Sequence, residues 1–111
     1  MSLDVTLRQH LAERTMTQLQ SAFPSSEAQL RGSLAESRSD PYSDIDLLWD
    51  VPDAQFATAL AELPEILNRV HPLASLRFDP DFQRSVKRRL VFIRFAGVPL
   101  FWRVDLDMLA T

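Results

Sequence analysis

The chain has 111 residues, 46% of them hydrophobic and 24% charged, with a formal net charge of -3. These are the proportions of one globular domain over residues 1–111, without the global basic field that nonspecific nucleic-acid binding exploits. It has no cysteine, which excludes disulfides and thiolate metal sites. It also has no run of roughly 20 apolar residues to span a membrane and no apolar N-terminal signal segment, so a cytoplasmic protein is expected.

In chain order, residues 4–21 read as a helix. Asp4 is its N-cap, and Leu7, Leu11, Leu19 and Ala22 form an apolar stripe. Phe23-Pro24-Ser25-Ser26 ends it. Ala28 to Gly32 reads as a short strand, and the polar stretch Glu36 to Ser43 turns at Asp40-Pro41. Ser43 to Val51 is a second strand. Pro52-Asp53 opens a helix in which Phe56, Leu60, Leu63, Leu67 and Val70 recur at helical spacing. Pro64 lies inside that pattern and predicts a kink or a break there, because proline has no N–H to give Leu60. Leu73 to Phe78 is a third strand, and Asp79 to Val86 fits one or two helical turns. Arg89 to Phe95 and Pro99 to Met108 are the last strands, joined tightly through Ala96-Gly97-Val98. The expected fold is α+β, a two-layer arrangement of one mixed β-sheet with helices mainly on one face.

Asp44 and Asp46 stand two apart on a strand, so both side chains leave the same face while Ile45 and Leu47 enter the core. Aspartate is disfavoured in strands, which argues against two merely solvated carboxylates. Like charges so close repel, and a bound divalent cation reverses that penalty. Paired Asp oxygens with room for water and phosphate suit Mg²⁺. A calcium loop is excluded, since no glycine follows in the turn and no Glu closes twelve residues. On the last strand Leu100, Trp102, Val104, Leu106 and Met108 share one face, leaving Phe101, Arg103, Asp105 and Asp107 on the other. Beside the 43–51 strand, Asp105 completes a three-carboxylate cluster able to hold two ions about 3.5–4 Å apart. Gly32, one of only two glycines, lets the backbone approach a ligand, and Ser33 after it can hold phosphate oxygens.

Gly32-Ser33, ten residues and then Asp44-Ile45-Asp46 resembles the signature of the DNA polymerase β-like nucleotidyltransferase superfamily. The run Ser43-Asp44-Ile45-Asp46-Leu47-Leu48 is most similar to aminoglycoside nucleotidyltransferases, which confer antibiotic resistance, and to minimal nucleotidyltransferases of toxin–antitoxin pairs. Val104-Asp105-Leu106 looks like the family's third-carboxylate strand, although Asp107 competes for the role. The resemblance implies that Ser33 and the backbone at Gly32 hold the triphosphate. It implies that Asp44 and Asp46 ligate two Mg²⁺ ions, and that Asp105 ligates the ion that activates the acceptor hydroxyl. ATP or another nucleoside triphosphate would then give its nucleotidyl unit to a small molecule or partner protein, releasing pyrophosphate. Aminoglycoside enzymes carry a C-terminal helical domain, whereas only Leu109-Ala110-Thr111 follow the last strand here. The chain is therefore read either as a piece of a longer protein or as a minimal enzyme completed by a helical partner or a second copy. An antitoxin-like binding subunit and a non-catalytic nucleotide-binding domain are the alternatives.

Other polar residues read as structural. Asp107, Asp50 and Asp53 suit strand ends or helix caps, and His10 and His71 lack metal-ligand partners at useful spacing. Arg84, Lys87, Arg88 and Arg89 form the basic cluster, read first as a solvated segment and second as a phosphate contact. Trp49 and Trp102 read as core or partner-facing.

Overall fold

A computed structural model describes residues 5–31, 45–82, 85–98 and 103–111. Helix α1 runs Val5–Ala22 and strand β1 Glu27–Arg31. Strand β2, Ile45–Val51, leads through a 3-10 turn, Asp53–Gln55, into helix α2, Phe56–Val70. Strand β3, Leu73–Phe78, a second 3-10 turn, Pro80–Phe82, then β4, Arg88–Phe95, and β5, Val104–Ala110, complete the order. The five strands form one sheet in the order β1-β2-β5-β4-β3. Only β2 and β5 run parallel; the other three pairings are antiparallel. This is the expected α+β arrangement with a mixed sheet.

Alternation decides which face of the sheet meets the helices. Ile45, Leu47, Trp49 and Val51 on β2 are buried, as are Val91, Ile93 and Phe95 on β4 and Val104, Leu106 and Met108 on β5. Each such side chain contributes about 1.5–3 kcal/mol by leaving water. The helices supply the other wall, with Leu11, Ala12, Thr15 and Leu19 from α1 and Phe56, Ala59, Leu63, Ile66, Leu67 and Val70 from α2. The α2 stripe is rotated slightly from the sequence pattern, since Ala59 and Ile66 are buried and Leu60 only half so. Two polar groups enter this layer with partners. Thr15 donates its hydroxyl to the Leu11 carbonyl, and the Trp49 indole donates to Ser26 Oγ, which donates to the Phe23 carbonyl. Phe23 meets the Trp49 ring edge-on at 5.9 Å.

Pro64 does not break α2, which is continuous from Phe56 to Val70. Pro64 is exposed while its neighbour Leu63 is fully buried. The helix therefore forgoes one hydrogen bond on its wet side and keeps the apolar stripe that a break would disrupt. The helix ends at His71 in extended conformation, ahead of Pro72, which disfavours helix in the residue before it. Asn68 ties the exit, donating to the Pro64 carbonyl and accepting from the Leu73 N–H. After β4, Gly97 takes φ +77°, a left-handed turn conformation open to glycine. The His71 ring nitrogen lies 2.6 Å from the Ala96 carbonyl beside it. Asp53 is the first residue of the 3-10 turn, whose N-cap position is Pro52, and its carboxylate pairs with Lys87 at 2.7 Å.

Candidate functional site

The helices leave the opposite face of the sheet open, and the strand registers align its side chains in rows. Arg31 pairs with Asp46, Asp46 with Asp105, Asp105 with Phe92 and Phe92 with Arg77. One row thus crosses all five strands with two aspartates at its centre. Adjacent strands lie about 4.8 Å apart, so the Asp46 and Asp105 side chains leave the same face at a separation that a cation and its oxygen ligands can bridge. Parallel pairing with no offset produces this meeting of residues far apart in sequence.

Asp105 is half-buried and held by the Arg103 fork, Nε to Oδ1 at 2.7 Å and Nη2 to Oδ2 at 3.1 Å. Arg103 in turn lies over the Phe92 ring, its guanidinium carbon 4.8 Å from the centroid. Such a stack fixes the direction of the fork and favours the cation.

The next row down the face holds Gln29, Leu48, Asp107 and Leu90. Asp107 is neither a strand end nor a cap, because it lies inside β5 and is only 6% exposed. Two arginines converge on it. Arg31 Nη1 donates to Oδ2 at 2.9 Å, Arg88 Nη2 donates to the same oxygen at 3.0 Å, and Arg88 Nε donates to Oδ1 at 2.9 Å. Both rows open into a cavity of about 320 Å³ lined by Asp46, Asp105, Asp107, Arg31, Arg88 and Leu90.

Of the residues singled out from sequence, Asp46 and Asp105 are brought together, whereas Gly32, Ser33 and Asp44 lie outside the described residues. Among the described residues no three His, Cys, Asp or Glu side chains are close enough to hold a metal ion. Arg31 lines the candidate site and was not singled out from sequence, whereas Arg88, whose second reading was a phosphate contact, lines it too. Arg88 belonged to the basic cluster, but nothing in the chain signals that β1 and β4 point arginines at one carboxylate of β5. Elsewhere in that cluster Lys87 pairs with Asp53, and Arg89 donates to the neighbouring Arg88 carbonyl. Trp49 is in the core, while Trp102, Phe101 and Arg84 lie outside the described residues.

Among solved structures the chain matches Cid1, an RNA terminal uridylyl transferase, with a TM-score of 0.73 and 17% identity over 94% of this chain and 31% of that one. The chain shares its fold with the matching part of that structure. The GLD-2/RNP-8 complex gives a TM-score of 0.65 at 18% identity, covering 94% of this chain and 40% of that one. The polymerase core of TRAMP, an RNA surveillance complex, gives 0.64 at 11% identity, covering 93% and 31%. The chain therefore spans about a third of the length of these structures. No family model and no curated protein matches the chain. Among the described residues no helix is long and apolar enough to cross a membrane.

Proposed function

We propose that this chain is a Mg²⁺-dependent nucleotidyltransferase that moves a nucleoside monophosphate from a nucleoside triphosphate, ATP in the first instance, to an acceptor hydroxyl. The observation that carries the reading is the level pairing of Asp46 with Asp105 across the central parallel strands, on the open face of a nucleotidyltransferase fold. The donor set fits the metal. Carboxylate oxygens on a face open to water and phosphate are the ligands Mg²⁺ prefers, and a guanidinium now grips Asp105 by both oxygens, which marks a place that favours positive charge. Asp46 and Asp105, with Asp44 as the third carboxylate of the motif, would hold two Mg²⁺ ions. Bound there, the ions supply charge neutralisation at the attacking and leaving oxygens.

The chain's own residues position the reactants. Ser33 and the backbone at Gly32 hold the triphosphate as the motif implies, and Asp105 orients the acceptor hydroxyl and takes its proton. The acceptor oxygen bonds to the α-phosphorus as the bond to the β-phosphate oxygen breaks, and pyrophosphate leaves with that electron pair.

Calorimetric titration with ATP and Mg²⁺ tests the site, together with transfer of label from α-labelled ATP. The parent chain is expected to bind ATP only with Mg²⁺, and Asp46→Asn and Asp105→Asn are each expected to lower transfer by about 10³-fold or more. Metal-independent binding, or transfer that survives both substitutions, would overturn the assignment. Binding without turnover would instead support a nucleotide-binding or antitoxin-like subunit.

A further inference from the structure

The sheet ends at β3, which comes last in the order β1-β2-β5-β4-β3 and, among the described residues, pairs with β4 alone. The Asp79 N–H donates to the Leu90 carbonyl, and in an antiparallel ladder the bonded residues alternate. Ser75, Arg77 and Asp79 therefore turn their main-chain groups to β4, while Leu76 and Phe78 turn theirs outward. The Leu73 N–H is taken by Asn68, and the ladder shifts between Leu73 and Ser75, so the open stretch begins at Ser75. Leu76 and Phe78 stand opposite the buried Ile93 and Val91, yet the core is unfinished there. Leu76 is half-buried against it, and Phe78, one of two large hydrophobic residues exposed among the described residues, is 40% accessible. No lysine or proline blunts Leu73–Phe78. Its one charge, Arg77, lies over the Phe92 ring at 6.0 Å, back across the sheet rather than out over the edge. The opposite edge is treated differently, since the Ala28 N–H of β1 donates to Gln20 Oε1.

We propose that the β3 edge pairs antiparallel with the same edge of a second copy, about a two-fold axis through Leu76, joining two five-stranded sheets into one. Self-pairing allows few registers, because outward main-chain groups must meet outward groups. That condition puts the axis on Ser75, Leu76, Arg77 or Phe78. An axis on Ser75 sets Phe78 against Pro72, and one on Phe78 sets Leu76 against Pro80; proline has no N–H to give. An axis on Arg77 opposes two like charges, which is destabilising. The axis on Leu76 has neither fault. The two Leu76 residues exchange hydrogen bonds, Arg77 stands opposite Ser75, and Phe78 stands opposite Ala74. The half-covered apolar row of each copy then continues into that of the other. A second copy also brings its strand already formed, whereas an unstructured segment loses about 1–2 kcal/mol per residue on being fixed. Because β4 separates β3 from β5, the Asp46–Asp105 row stays open in the pair. The inference is therefore independent of the nucleotidyltransferase reading.

Sedimentation equilibrium of the full chain reads the association. Between about 1 and 500 µM the mass is expected to rise from the monomer's 12.7 kDa toward twice that value, with a dissociation constant of about 10–100 µM, as suits a small edge-to-edge interface. Phe78→Lys puts a charge on the exposed position and is expected to weaken association at least about tenfold. Phe78→Leu keeps the apolar contact and is expected to stay within about threefold of the parent. Circular dichroism melts of both variants verify that they fold. The chain has no cysteine, so one introduced thiol reports the register. Leu76→Cys sets the two Cα atoms about 5.5 Å apart across the axis, within disulfide reach, and is expected to give a covalent dimer under mild oxidation. Phe78→Cys is expected not to, since the two Phe78 positions lie roughly 13 Å apart along the paired strands. A chain that stays monomeric at the highest concentration overturns the inference and leaves the edge to an extended segment of another protein. So does a dimer that survives Phe78→Lys, which would join through another surface, or one that cross-links at Phe78→Cys and not at Leu76→Cys. Binding of Mg²⁺ and ATP is expected to be the same in Phe78→Lys as in the parent, so each reading can fail without the other.

Discussion

Asp105 and Asp107 are one strand repeat apart, face the same cavity and both bind arginine, yet their surroundings assign them different work. Asp107 is nearly buried and accepts three hydrogen bonds from two side chains on other strands, so it links β1, β4 and β5. Asp105 is more exposed, stands level with Asp46, and accepts the fork of Arg103 two residues away on the same segment. Removing the Asp107 charge therefore costs folding free energy. The two arginines are about half exposed and can turn to water, which holds the loss to about 1–2 kcal/mol. The melting temperature of Asp107→Asn is expected to fall by several degrees. Asp105→Asn is expected to change it little while abolishing transfer. Thermal melts followed by circular dichroism, beside the transfer assay, separate the two carboxylates. If Asp105→Asn were the unstable variant and Asp107→Asn the inactive, stable one, the roles would be exchanged.

At the scale of elements, α2 sets a local rule against a packing requirement. An interior proline costs a helix about 3 kcal/mol relative to alanine, while its restriction of the unfolded chain returns up to about 1 kcal/mol. Pro64→Ala is thus expected to raise stability by about 1–3 kcal/mol in urea denaturation with an unchanged m-value, and a destabilised variant would show that the proline fits its turn without strain. The same contest explains what the sequence could display. The alternation in β2 was legible because every second residue, Ile45 to Val51, is driven into the core, and β3 lies at the expected Leu73–Phe78. Of the expected kink or break, the break does not occur, because a proline rule is local and the buried stripe of α2 spans the whole helix. A period of two sends Asp105 and Asp107 to one face, so the preference for Asp105 came from the family resemblance and not from geometry. The β2–β5 register adds that Asp46 stands level with Asp105 and Leu48 with Asp107. The meeting of Arg31 and Arg88 at Asp107 was hidden because the sheet order, not their spacing, brings them there. The buried Arg8 on α1 likewise has no signature in a helix pattern that reads it as polar.

For the whole molecule, the candidate site straddles the one parallel pair in the sheet. The order β1-β2-β5-β4-β3 places α1, β1 and β2 on one side of the Asp46–Asp105 row and the β3–β4–β5 meander on the other. A ligand that bridges the two carboxylates therefore binds a surface that exists only when both halves are docked, so its binding free energy becomes folding free energy. At a ligand concentration one hundred times its dissociation constant the gain is about 2.7 kcal/mol. For a domain of this size that corresponds to a rise in melting temperature of roughly 5–15 °C. The shift is expected with Mg²⁺ and ATP together, to vanish on addition of EDTA, and to be lost in Asp46→Asn and in Asp105→Asn. Asp107→Asn, starting from a lower melting temperature, is expected to retain it, because its carboxylate serves the arginines and not the metal. Differential scanning calorimetry reads all four proteins in one series. A shift produced by ATP without Mg²⁺ would place the nucleotide away from the paired carboxylates, and a shift that disappears in Asp107→Asn alone would move the metal one row down the sheet.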